Sequence, residues 1–348
     1  MNAEASPIVV EVTRGDMVES RHHAAVAVVD IAGSVVLRAG DIQHAVYARS
    51  AIKPLQALAL VESGSADSFA VTEPEIALAC ASHNGEPRHT ATVRAWLDRV
   101  GFSEADLECG AHAPRLSAAA AELVRAGKEP SALHNNCSGK HAGFLTLARH
   151  TGAPLPGYVR YDHPVQQRVL GILEHMTGLD LGDAPRGIDG CGIPVIAIPL
   201  GNIALAMARL AKPDDQPEPR QAAAERIRAA MAAEPFLVAG TDRFDTRVIE
   251  ATGGRALIKT GAEGVFCAML PETGLGVALK VADGAQRAAE VAMAHVLIRL
   301  GVPGIAASDI EDLIEPKIFN RSGQAVGSVR AIADMDRIPD LERRNVLI

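Results

Sequence analysis

Lysine is scarce in this chain, with seven against 27 arginines. There is no basic run, and the formal net charge is −8. That balance argues against nucleic acid as a partner. No apolar stretch is both long and free of charge, so no membrane-spanning helix is expected. The opening residues, MNAEASPIVVEVTRGDMVES, lack a basic segment followed by an apolar one. A secretory signal is therefore not expected, and the predicted compartment is the cytoplasm. Cysteines are few and scattered: Cys80, Cys109, Cys137, Cys191 and Cys267. An odd, dispersed set in that compartment favours free thiols or metal ligands over a disulfide framework. Serine is absent from 151 to 300, which confines candidate nucleophiles to the first 150 residues and the last fifty. What is abundant is apolar. At 348 residues and 48% hydrophobic composition the chain can bury a sizeable core, in one large domain or two small ones.

The pattern of elements predicts strands, then helices, then strands again. AVAVVD (25–30) and SVVLRAG (34–40) read as strands joined by a short glycine-containing turn. Helices are predicted from Ser50 to Val61, with Pro54 in the first turn, and over Glu73–Ala81, Thr90–Val100, Ala118–Arg125, Ser138–Arg149 and Val165–Met176. IPVIAIPLG (193–201) reads as a buried extended segment and ALAMARLAK (204–212) as a helix. PDDQPEPR (213–220) is the one linker-like tract. A helix (221–233), three strands (255–259, 264–270, 276–281), a helix (Gln286–Leu300) and a strand near Ala325–Ile332 complete the chain. The predicted class is α/β of the α+β kind. One mixed, mostly antiparallel sheet is flanked by helices. A helical lobe spans roughly 70–185, and the sheet lobe takes roughly 8–62 and 250–335 of a single catalytic unit.

Three short motifs carry chemistry. In ARSAIKPLQAL (48–58), Ser50 and Lys53 sit one helical turn apart. A serine hydroxyl needs a base to become a nucleophile, and a lysine serves only with a neutral amine, a state that burial favours. The bland alternative is a capping serine followed by a lysine whose stem covers apolar surface. Ser82-His83-Asn84 is S-x-N and Lys259-Thr260-Gly261 is K-T-G. Their bland readings are a turn at Asn84-Gly85 and a strand exit at Thr260-Gly261. Chance supplies about 0.3, 0.3 and 0.02 matches to the three patterns, so their joint occurrence in order is informative. S-x-x-K, S-x-N and K-T-G in that order mark serine β-lactamases and penicillin-binding proteins. Two Ser–Lys couples result, Ser50 with Lys53 and Ser82 with Lys259, and which serine attacks stays open.

HNNCSGKHAGF (134–144) and GIDGCGIP (187–194) bring Cys137, Lys140, His141, Asp189 and Cys191 forward as a group of metal character. Their spacing is not C-x-x-C, and two buried free cysteines beside glycine turns would explain them equally. A lysine ligand must lose its proton to bind.

ARSAIKPLQAL, CASHNGEPRH, LHNNCSGKHAGFL, DGCGIP and IKTGAEGVF together resemble the class 3, rhizobial-type L-asparaginases, the asparaginase II family, over roughly 8–335. The resemblance implies hydrolysis of L-asparagine to L-aspartate and ammonia on a serine β-lactamase-like fold, in a homodimer. It implies Ser50, Lys53, Ser82 and Lys259 as catalytic groups. Cys137, Lys140, Asp189 and Cys191 match the family's zinc positions. Arg49, His141, Asn84 and Gly261 would line the substrate pocket. Glutaminase and β-lactamase-type hydrolase are the alternatives. A non-catalytic amino-acid-binding protein on the same fold is a third.

Overall fold

The computed structural model describes residues 6–306 and 310–332. The chain divides into two compact units. One takes the chain up to Ala51, Ile198–Lys212 and the chain from Arg247; the other takes Ile52–Ala197 and Pro213–Thr246. The proline-rich tract 213–220 thus opens the second stretch of the second unit.

The first unit is built on β1 (Ile8–Arg14), β2 (Met17–Val29), β3 (Val35–Ala39), β4 (Leu257–Thr260), β5 (Val265–Leu270), β6 (Leu275–Val281), β7 (Lys317–Phe319) and β8 (Ala325–Ala331). They form one sheet in the order β7-β8-β1-β2-β6-β5-β4, with β3 also paired to β2. Every one of these pairings is antiparallel. The early and late strand groups meet where Ala24–Val29 pairs with Gly276–Val281. Strands covered on both faces read as continuous apolar runs rather than alternating ones. AAVAVV at the end of β2 and VFCAML in β5 are of that kind, and both are buried along their length. Helices Leu200–Ala211 and Gln286–Arg299 pack on the sheet. Gly276 lets the first of them sit directly on β6, because a Cβ there would collide with the Ala204 and Ala208 backbone.

The second unit is helical, with Lys53–Glu62, Glu73–Ala79, Pro87–Val100, Ser138–Thr151, Pro164–Thr177 and Glu218–Ala233 as its main helices. Ser138–Thr151 lies at its centre. Residues 138–148 are buried on every side, and the helix contacts four of the others. At Gly139 a Cβ would strike the Leu78 carbonyl, so the central helix and Glu73–Ala79 approach at closest range. This contact seats the segment after Ala79 over the start of the central helix, and the His83 N–H donates to the Asn136 carbonyl at 3.3 Å. A short hairpin pairs Arg186–Gly187–Ile188 with Ile196–Val195–Pro194 and presents Asp189 and Cys191 in its turn.

Two differences from the sequence reading have physical causes. The helix expected from Ser50 begins with a 3₁₀ turn, Arg49–Ile52, before the α-helix starts at Lys53. Pro54 has no N–H to give to the Ser50 carbonyl, so the entry turn tightens. The strand β1 and the helix Phe244–Ala251 were not anticipated. Among the described residues, no helix is long and apolar enough to cross a membrane.

Candidate active site

In the first unit, Ser50 is half-buried in the Arg49–Ile52 turn. Arg49 adopts φ +51°, a left-handed conformation costly for a side-chain-bearing residue. The turn is closed by the Ala51 N–H on the Ala48 carbonyl at 3.1 Å. Gly261 lies against it, since a Cβ at Gly261 would stand 3.0 Å from both Ala48 O and Ala51 N. The missing side chain therefore lets the end of β4, which carries Lys259, lie beside the Ser50 turn. Lys259 is 1% exposed, and its Nζ donates to the Thr260 carbonyl at 2.6 Å. Cys267, its register partner on β5, is a neutral thiol that burial pushes up to about 12.

In the second unit, Lys53 is also 1% exposed. Its Nζ lies 2.5 Å from the Ala81 carbonyl, 3.3 Å from the Asn136 carbonyl and 3.1 Å from Ser82 Oγ. Two carbonyls can only accept. A neutral amine has two N–H bonds to give them and keeps one lone pair, which can take the Ser82 proton. An ammonium would instead donate to all three oxygens, so both ends of a proton transfer fit the same geometry. The Ser82 segment is extended and fixed on both sides of the serine. Ser82 N–H donates to Val238 O at 3.0 Å and Asn84 N–H to Ala239 O at 2.8 Å.

Asn84 is held at both ends of its amide. Its Nδ2 donates to Glu86 Oε1 and to the Thr241 carbonyl, both at 3.1 Å, while Arg243 Nη1 donates to its Oδ1 at 3.2 Å. The same Arg243 nitrogen reaches the Ser82 carbonyl at 3.2 Å. Burial works to raise the Glu86 pKa, but hydrogen bonds from Thr241 and Asn84 and the charge of His89 outweigh it, so the carboxyl lies below its ordinary value. His83 accepts the Gly85 N–H at Nδ1, so its proton sits on Nε2, which lies 2.9 Å from Ser138 Oγ. Burial, aided by the charges of His89 and Lys53, keeps this imidazole neutral, with a pKa well below the usual value.

Cys137, Lys140 and Cys191 form a compact group below 5% exposure. Lys140 Nζ is 3.0 Å from Cys191 Sγ. Cys137 Sγ lies 3.2 Å from Asn136 Oδ1; the neighbouring Cys191 sulfur first, and then the Lys140 and Lys53 charges, hold the Cys137 thiol well below its ordinary pKa against the effect of burial. Cys191 is correspondingly pushed up, first by the neighbouring Cys137 sulfur and then by burial. Burial opposes charge on Lys140, but the charge of Cys137, the hydrogen bond to Cys191 and the charge of Asp189 prevail and raise its pKa. His141 sits beneath. Tyr158 Oη takes the Glu108 N–H at 2.8 Å and donates to His141 Nδ1 at 2.8 Å, which leaves Nε2 buried without a hydrogen-bond partner. The paired sulfurs suit a thiophilic cation in kind. Among the described residues, no three His, Cys, Asp or Glu side chains are grouped to hold an ion. The third donor would be the Lys140 amine, which must first lose its proton.

A family model described as L-asparaginase II matches residues 10–331. The chain belongs to the L-asparaginase II family. Membership of that family supports an asparaginase-type amidohydrolase and implies an amide substrate. No curated protein matches the chain. It is similar to crystal structures of Mglu: one of the native form at 14% identity and TM-score 0.45, covering 82% of this chain and 66% of that one. A second has the same identity, TM-score and cover of this chain, with 69% of its own length covered. A third, in 4.3M NaCl, has 13% identity and TM-score 0.45, with 82% and 63% covered. The chain thus spans about two thirds of the length of those proteins.

In this L-asparaginase II chain the residues singled out from sequence fall into two sets. Arg49, Ser50, Lys259 and Gly261 lie in the sheet unit; Lys53, Ser82, Asn84, Cys137, Lys140, His141, Asp189 and Cys191 lie in the helical unit. Ser50 and Lys53 are joined by one continuous turn. Sequence pairing coupled Ser82 with Lys259, and the structure adds a contact between Ser82 and Lys53. Glu86, Thr241, Arg243 and Tyr158 were missed. Glu86 is the N-cap of the helix Pro87–Val100, which begins three residues before the predicted start at Thr90.

Proposed function

We propose that this asparaginase-family chain hydrolyses the side-chain amide of L-asparagine to L-aspartate and ammonia by covalent serine catalysis. The observation that carries the reading is the buried Lys53 amine, set between two carbonyls with its remaining position on Ser82 Oγ. Ser50 Oγ attacks the amide carbonyl and its proton passes to Lys53 Nζ. The oxyanion is held by two backbone N–H groups, one of them from Ser50. The C–N bond then breaks as the proton travels through Ser82 to the leaving nitrogen, with Lys259 as the second lysine of the relay. Water attacks the acyl ester, gives its proton to the same base, and Ser50 leaves as a hydroxyl. Arg49, His141, Asn84 and Gly261 are the residues assigned to substrate binding, and the Arg49 guanidinium is the group that suits an α-carboxylate. The Lys53–Ser82 contact taken alone favours a second reading, in which Ser82 attacks.

The proposal includes zinc held by Cys137, Lys140 and Cys191, with Asp189 beside them. Once bound, the ion would supply fixed positive charge to the pocket. A homodimer in the cytoplasm completes the reading. The test is ammonia release from L-asparagine and L-glutamine by the purified chain, with Ser50→Ala in parallel. Release from asparagine that is abolished in the variant supports the reading. Faster release from glutamine would make the chain a glutaminase, a change that one methylene's worth of discrimination, about 1–3 kcal/mol, allows. Hydrolysis of a β-lactam reporter with neither amide turned over would replace the assignment.

A further inference from the structure

Ser82 and Asn84 are fixed by residues from two distant parts of the chain. Glu86 is 8% exposed and Asn84 2%. Glu86 Oε1 accepts from Asn84 Nδ2 at 3.1 Å and from Thr241 N at 2.8 Å, and Oε2 accepts from Thr241 Oγ1 at 2.6 Å. Gly240 makes this approach possible. It sits at φ +117°, and a Cβ there would run into Glu86 Oε1 and stand 2.8 Å from Asn84 Nδ2. From the other side, Arg243 Nη1 bonds both the Ser82 carbonyl and Asn84 Oδ1. A neutral amide is thus clamped between an anion on its nitrogen and a cation on its oxygen, which fixes its orientation.

Two consequences follow from counting donors. Asn84 Nδ2 has two N–H bonds, and Glu86 and the Thr241 carbonyl take both. Asn84 Oδ1 keeps one acceptor site beyond Arg243. Asn84 can therefore meet a ligand only as an acceptor. Ser82 meanwhile has its N–H fixed on Val238 and its C=O on Arg243, so its backbone cannot turn Oγ away from Lys53.

We propose that Glu86 and Arg243 are positioning residues, which hold Ser82 against Lys53 and make Asn84 an acceptor-only group for an N–H of the substrate. This rests on the serine-catalysis reading above. An acceptor at that point suits an amide or ammonium nitrogen and disfavours a carboxylate.

The test compares Glu86→Ala, Glu86→Gln and Arg243→Lys with the wild type, using kcat and KM for L-asparagine alongside thermal denaturation. Glutamine keeps an oxygen for Asn84 and Thr241 N and turns its nitrogen to Thr241 Oγ1. Misplacing a reacting group by about 1 Å costs up to about 100-fold. The expected result is a fall of about 10- to 100-fold in kcat for Glu86→Ala with KM changed by less than about threefold, recovery of most of that loss in Glu86→Gln, and a fall of about tenfold in Arg243→Lys. A folded Glu86→Ala with wild-type kcat overturns the proposal, as does Glu86→Gln falling as far as Glu86→Ala. Should Glu86→Ala fail to fold, Arg243→Lys with wild-type kcat overturns it equally. Should the wild type release no ammonia, the function reading has failed instead. The positioning claim is then read from a crystal structure of Arg243→Lys. Ser82 Oγ moved out of hydrogen-bond reach of Lys53 sustains it, and an unmoved Ser82 and Asn84 overturn it.

Discussion

Two lysines are buried in the helical unit, and their company differs. Lys53 meets two carbonyl oxygens and a hydroxyl. Lys140 meets a sulfur pair and the charge of Asp189. Both are under 4% exposed, so burial alone does not separate them. The partners do. Around Lys53 the oxygen geometry serves the amine with its proton and without it, which is what proton transfer needs. Around Lys140 acids stabilise the charge, and it stays a cation unless a metal replaces the proton. Cys137 connects the two, because both lysine charges act on its thiol. In the proposed reading, one residue type serves as base in one place and as counter-charge or ligand in the other.

The sharpest way to break this comparison is to remove each amine. Lys53→Met should lower turnover of L-asparagine by about 10³-fold, in the range of a lost general base. Lys140→Met should cost about 10- to 100-fold, as for groups that support a site without moving the proton. Equal losses would erase the distinction. Next in size is Cys137→Ala, which leaves Lys140 buried beside a weakened partner. Breaking a buried pair costs about 3–5 kcal/mol, to be read by denaturant unfolding. The same variant should lose any zinc that copurifies, measured by elemental analysis. Unchanged stability and metal content would remove the counter-charge role.

Gly261→Ala tests the sheet side. Its Cβ would press on backbone atoms of the Ser50 turn and of Val265. Overpacking of this kind costs about 1–3 kcal/mol, and turnover should fall with the displaced turn. A variant as stable and active as the wild type would show that β4 does not set the turn. The smallest effect is in pH. His83 has a folded pKa below its unfolded one, so the unfolded chain binds the proton first. Its contribution to stability is present above the unfolded value of about 6.5 and is lost as pH falls below it. Thermal midpoints should drop between pH 7.5 and 5.5. Burial is the first cause of the His83 shift, so the drop should be shallower in His83→Gln, and an identical slope in both would mean that His83 does not set it.

Much of what marks the candidate site in the sequence is local. Ser50 and Lys53 are one turn apart, Lys259 and Gly261 close one strand, and each motif keeps its meaning without the rest of the chain. The central helix could be read as amphipathic, yet its polar members Ser138, Lys140 and His141 are buried. They are satisfied by partners from other segments, and no periodicity reports that. The Glu86 clamp was illegible for the same reason. Its bonds to Thr241 join residues 155 apart, and the Arg243 bond to Ser82 joins residues 161 apart. Pairing Ser82 with Lys259 rested on motif order, whereas the Lys53–Ser82 contact depends on Gly139 letting two helices close up. The strand β1 was missed because IVVEVTR mixes apolar and charged residues, and its pairing with β2 and β8 supplies the burial that the segment itself does not announce.

The most direct test of the central claim is rapid-quench mass spectrometry of the chain during turnover of L-asparagine, with peptide mapping of any covalent adduct. The account predicts an aspartyl ester on Ser50 that forms in the wild type and fails to form in Lys53→Met. Steady ammonia release with no ester on any serine would contradict it, because water would then be attacking the amide without a covalent intermediate.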